Sequence, residues 1–146
     1  MAPLIALLFG TAAARLAGHL GVEHLDAWPT SVGAGVAAMF LLTGTVHFIP
    51  SFRSWMIAMV PPRLPAPALL VTATGVLELA GAVGVLIPAT ATAAGICLAL
   101  LLVAMFPANV HAARGNVLIR GEPATPLPRR TAEQALYIAA ALVAAL

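Results

Sequence analysis

The chain has 146 residues, 62% of them hydrophobic and only 8% charged. Soluble domains carry about 25% charged residues, so the composition excludes an ordinary soluble fold and points to an integral membrane protein. The formal charge of +2 comes without a basic run interleaved with aromatics, which argues against nucleic acid and leaves the lipid bilayer as the partner composition demands.

The length suits one helical-bundle domain over residues 1–146. All seven basic residues are arginine, and with the abundant Ala, Gly and Pro this hints at a GC-rich bacterial source. The single cysteine, Cys97, cannot close an internal disulfide. It reads as a small buried core residue, and the absence of paired cysteines argues against thiol oxidase chemistry.

Five apolar runs each have to be helical, because lipid offers the backbone no hydrogen-bond partners. The opening run, "MAPLIALLFGTAAARLAG", lacks the basic start of a signal peptide and reads as a retained span over Pro3–Leu20. The second span runs over Thr30–Phe48, the third over Pro67–Ile87 and the fourth over Thr90–Phe106. The fifth, Thr131–Leu146, is expected to start on a capping box in which Gln134 reaches back to Thr131. Pro88 and Thr90 predict a tight antiparallel hairpin between the third and fourth spans. The loop 107–130, with "GEPATPLPRR", reads as proline-rich and extended at its end. The expected fold is therefore an all-α membrane protein, a compact bundle of about five transmembrane helices.

Between the second and third spans lies "HFIPSFRSWMIAMVPP". Phe48, Phe52, Trp55, Met56 and Met59 recur at helical spacing, with Ser51, Arg53 and Ser54 turned away. That pattern predicts a short interfacial helix over Phe48–Val60. Composition favours a surface anchor over the alternative, a lid on a pocket.

Arginine placement orients the chain. Arg53, Arg63, Arg114, Arg120, Arg129 and Arg130 lie in the loops on the N-terminal side, whereas the opposite loops hold Glu23 and Asp26 and no arginine. By the positive-inside rule the N-terminus is cytoplasmic.

Ionisable residues inside a membrane are functional candidates by default. Glu78 lies about 16–17 Å and Arg15 about 18 Å from the cytoplasmic end of their spans at 1.5 Å per residue. Similar depth and opposite charge predict an ion pair between the first and third spans. Thr11, Arg15, His19 and Glu23 recur every four residues, as do the pairs Thr43/His47 and Thr74/Glu78, so a polar interior file is expected if those faces converge. Asn109 and His111 follow the fourth span on the same side as His47. The histidines have neither i+4 histidine partners nor a nearby cysteine, so no metal site is expected. The candidate ligand or proton site is Arg15, His19, His47, Glu78, Asn109 and His111.

The segments "MFLLTGTVHF", "MVPPRLPAPALLVTATGVLELAGAVGVLIP" and "FPANVHAA", spread over about residues 39–113, together resemble the DoxX-like family of small bacterial membrane proteins. The resemblance implies a compact bundle in the bacterial cytoplasmic membrane. It carries over His47, Glu78 and Asn109 as motif positions without chemical roles. The chain departs from the family pattern after Pro88, where members often have a basic residue and this one reads "ATATAAG". The family takes its name from a membrane subunit of thiosulfate:quinone oxidoreductase and quinol oxidase systems. The resemblance therefore implies an accessory or interaction subunit of a quinone-linked redox system, with a quinone as the conceivable cofactor and a redox enzyme as protein partner. The alternatives are a small-solute or proton-coupled transporter, against which no inverted repeat is evident, and a ligand-free assembly protein.

Overall fold

The computed structural model describes residues 1–115, 117–119 and 121–146. Six α-helices account for most of it: α1 (Ala2–His19), α2 (Trp28–Val46), α3 (Pro50–Met59), α4 (Pro67–Gly84), α5 (Ala91–Arg114) and α6 (Leu127–Ala144). A single 3-10 turn, Glu23–Leu25, joins α1 to α2. Arg120, counted above among the orienting arginines, lies outside the described residues.

Four helices, α1, α2, α4 and α5, are long and apolar enough to cross a membrane. The expected fifth, α6, falls short because Arg129, Arg130 and Glu133 occupy its first two turns. The outer faces of the four are apolar: Phe9 on α1 is 74% exposed and Leu100 on α5 is 63% exposed.

Several boundaries differ from the sequence reading, each for a local reason. The fourth span does not stop at Phe106. Helix α5 continues through Pro107 to Arg114, so Asn109 and His111 sit on the helix and not beyond it. Proline lacks the N–H that would bond the carbonyl four residues back, but neighbouring helices can supply other donors. Helix α6 starts four residues earlier than Thr131, with Pro128 in its first turn, where a missing N–H costs nothing. The Thr131/Gln134 capping box is not formed. The Thr131 hydroxyl donates to the Leu127 carbonyl at 2.9 Å, and Gln134 points into the protein. The end of the 107–130 segment is not simply extended either, since Leu118–Ile119 and Glu122–Pro123 pair as a small antiparallel hairpin.

The third and fourth spans do form a hairpin, as α4 and α5. Thr90 stands at the N-cap of α5, yet its hydroxyl donates to the Gly84 carbonyl at 2.7 Å. It therefore closes the end of α4 and not the start of α5.

Helix α2 is central. It packs against α1, α4 and α6, and α5 completes a ring by packing on α4 and α6. In that ring α4 and α6 stand across from one another, while α1 lies outside against α2. One half of the ring is a dry core of small and branched side chains, including Val36, Ala37, Ala82, Leu98 and Ala141. Small residues let the helix backbones approach closely. Gly35 carries this furthest: a Cβ there would run into the Thr11 hydroxyl and the Leu7 carbonyl of α1.

Cys97 is exposed on α5, not buried as its type led us to expect. On a helix whose outer face is as apolar as its inner face, hydrophobicity does not say which way a side chain points.

Candidate functional site

The other half of the ring holds a partly open cavity of about 500 Å³. Its walls come from the C-terminal halves of α2 and α5 and the N-terminal two-thirds of α4 and α6. Helix α3 lies across the same end. Four of the five methionines, Met39, Met56, Met59 and Met105, line the cavity. Unbranched thioether side chains re-pack easily around varied shapes, so this wall suits a bound guest better than a rigid core.

Met56 and Met59 belong to α3, so the structure supports the lid and not merely the anchor. Arg53, expected to turn away, holds that lid down. Its guanidinium donates to the His47 carbonyl at 3.2 Å, and to the Ala68 carbonyl and the Thr72 hydroxyl at 2.8 Å each. One side chain thereby ties α3 to the end of α2 and the start of α4.

Two polar groups face the cavity. The first is built on α2 and α4. Glu78 is 2% exposed and His47 4% exposed. The Thr43 hydroxyl donates to Glu78 Oε2 at 2.5 Å. His47 Nδ1 lies 2.8 Å from the Thr43 carbonyl. A carbonyl can only accept, so Nδ1 carries the proton and Nε2 is left to face Glu78 Oε1 at 3.9 Å. That gap is too long for a direct hydrogen bond. Gly75 makes the arrangement possible, because a Cβ there would come within 2.6 Å of the His47 Cβ and push α4 away.

The second group joins α5 to α6. Arg130 Nη1 donates to Asn109 Oδ1 at 2.7 Å, and Asn109 Nδ2 donates to Gln134 Oε1 at 3.0 Å. Gln134 Nε2 in turn donates to the Leu102 carbonyl, one residue before the carbonyl that Pro107 leaves without its helical donor. Tyr137 completes this wall. A smaller vestibule of about 170 Å³, lined by Met1, Thr125 and Glu133, adjoins the cavity through Asn109, Arg130, Gln134 and Tyr137.

Of the six candidates, His47, Glu78 and Asn109 converge on the cavity, and the other three do not. The predicted Arg15–Glu78 pair is not made. Arg15 donates to the Asp26 carbonyl and lies 3.3 Å from its carboxylate. Its guanidinium stacks 4.6 Å over Trp28, with His19 within 3.4 Å. Equal depth placed the two charges at one height but said nothing about their angle around the bundle, and α2 stands between α1 and α4. The polar file on α1 likewise faces away from the cavity, along a separate apolar groove of about 690 Å³ between α1, α2 and α6. His111 lies on α5 outside the cavity lining. We expect Arg15→Leu and Glu78→Leu to destabilise additively in a double-mutant cycle of detergent unfolding. A coupling beyond about 0.5 kcal/mol would restore the direct pair.

Arg130, Gln134 and Tyr137 were missed as site residues. Their spacing of four and three places them on one helical face, a signal hidden when the arginine is read as a loop charge and the glutamine as a cap. No group of three or more His, Cys, Asp and Glu is close enough to hold a metal ion among the described residues.

These features define a class: a small all-helical protein with four membrane-length apolar helices and a partly open cavity lined by two hydrogen-bonded polar groups. Residues 36–145 match the family described as Domain of unknown function (DUF8561), and the chain belongs to that family. The matched segment holds every cavity-lining residue except Pro3 and leaves out the Arg15 end of α1. No curated protein and no solved structure matches the chain.

Proposed function

We propose that the chain is a multi-pass protein of the bacterial cytoplasmic membrane and that its cavity holds a quinone-like ligand. On this reading it serves as a DoxX-like accessory subunit that works with a redox enzyme. Helices α1, α2, α4 and α5 cross the bilayer, and α6 crosses as the fifth helix of the bundle with its charged first turns at the surface. The N-terminus is cytoplasmic, and α3 lies at that face with Trp55 at headgroup depth. Supporting this orientation, Arg129 meets Met1, and Arg53 and Arg130 lie towards the same end.

The observation that carries the ligand reading is the cavity itself. Ligand pockets are mostly apolar spaces of about 300–1,000 Å³ with a few placed polar groups, and this one fits that description. Tight bundles without ligands fill such space with side chains, which counts against a purely structural assembly protein. The test is to purify the chain in mild detergent, extract it with organic solvent and identify small molecules by mass spectrometry. A quinone in near-stoichiometric amount is the expected result. A ligand-free chain that also takes up no added quinone would refute the reading.

The Glu78–His47 contact favours a second reading, a proton-coupled transporter of a small solute. Solute flux into liposomes under a pH gradient, abolished by Glu78→Gln, would establish it.

A further inference from the structure

The polar side chains around the cavity differ in one respect. Each has a hydrogen-bond partner within the protein except Tyr137, whose buried hydroxyl has none among the described residues. Buried polar atoms are nearly always paired, so an orphan hydroxyl beside a cavity points to something that pairs with it there. Tyr137 lines both the cavity and the vestibule. Opposite it, the 3.9 Å gap between His47 Nε2 and Glu78 Oε1 leaves hydrogen-bonding capacity on both atoms. Tyr137 is on α6 and Glu78 on α4, the two helices that stand across the ring from each other. Unspent hydrogen bonds therefore lie on two opposed walls, with methionine and other apolar side chains between them.

We propose that the cavity takes a ring ligand with hydrogen-bond acceptors on two opposite edges, one received by the Tyr137 hydroxyl and the other by a proton held at the Glu78–His47 gap. A para-quinone has this shape: two carbonyl oxygens across a flat apolar ring. A ligand with a single polar end, such as a fatty acid, satisfies one wall and leaves the other unpaired. Tyr137 is then the residue that selects the two-carbonyl ring. This inference rests on the quinone reading above and adds to it the disposition of the carbonyls and the donor for one of them.

The test uses the full chain in detergent and two probes in equilibrium dialysis. One is a para-naphthoquinone methylated at both free quinone-ring carbons, so that the exposed Cys97 thiol cannot add to it. The other is the matching tetralone, which keeps the fused rings and has one carbonyl. A site built to hydrogen-bond a group discriminates against the analogue that lacks it, so the wild-type chain should prefer the quinone by about tenfold or more. Tyr137→Phe should weaken quinone binding by a similar factor and remove the preference. Equal binding of the two probes by the wild-type chain would overturn the proposal, even if the variant failed to fold. Quinone binding unchanged in a folded Tyr137→Phe variant would overturn it while leaving the quinone reading intact. A wild-type chain that binds neither probe would sink both.

Discussion

Gln134→Leu is expected to destabilise the bundle by about 1–3 kcal/mol in detergent unfolding, because the Asn109 amide loses its acceptor and the Leu102 carbonyl its second donor. Gln134 is 7% exposed, bonds the Leu102 carbonyl through its amide nitrogen and accepts from Asn109 through its oxygen. Pro107 withholds its donor from the neighbouring Val103 carbonyl, so the Gln134 bond to Leu102 adds to the helix's own bond at that carbonyl. Leucine fills similar volume, so the loss is one of hydrogen bonds and not of packing. Gln134→Glu keeps the acceptor for Asn109 and loses the donor to Leu102, so its effect should separate the two halves. An unchanged unfolding midpoint in Gln134→Leu would show that the helix's own bond suffices for the Leu102 carbonyl and that water replaces Gln134 at Asn109.

Gly35→Leu is expected to release α1 from α2. The added side chain would start inside the space of the Thr11 hydroxyl and the Leu7 carbonyl, and backbone cannot yield there without the helices moving apart. Overpacking of this kind costs about 1–3 kcal/mol, and more when backbone is the obstacle. The consequence is local, because α1 contributes Pro3 to the cavity and otherwise packs outside the ring. Amide exchange should therefore rise through Ala2–His19 while α4, α5 and α6 keep their protection. Uniform loss of protection would mean that α1 is part of the same cooperative unit as the ring. Unchanged protection of α1 would mean that the close approach at Gly35 does not hold it.

Much of the architecture was legible in the sequence. Apolar run length located the four membrane-length helices, and Pro67 marked the start of α4 where the structure has it. The short helix after His47 was legible from its aromatic and methionine spacing, although its role as a lid was not. Pro107 misled because its local effect is one lost bond, to the Val103 carbonyl, and a long helix packed on its neighbours runs on past such a loss. The site was half legible. His47, Glu78 and Asn109 stand out as polar residues in apolar surroundings, and all three reach the cavity. Arg15 stands out just as strongly and does not, because periodicity gives a residue's height and face on its own helix but not which neighbour that face meets. Tyr137 gave no signal of its own, since a lone aromatic residue on an apolar helix is ordinarily packing. Only its orphan hydroxyl, seen in three dimensions, sets it apart.

The central claim is that the space lined by α2, α4, α5 and α6 is a binding site. The most direct measurement compares saturable binding of the methylated para-naphthoquinone to the wild-type chain and to Ala108→Phe. Ala108 lines the cavity from α5 and makes none of its side-chain hydrogen bonds, so phenylalanine occupies the space and leaves both polar groups in place. The account predicts one saturable site per wild-type chain and loss of that site in a variant that keeps its helical content and unfolding midpoint. A folded Ala108→Phe chain that binds the quinone as the wild type does would place the site elsewhere and contradict the account.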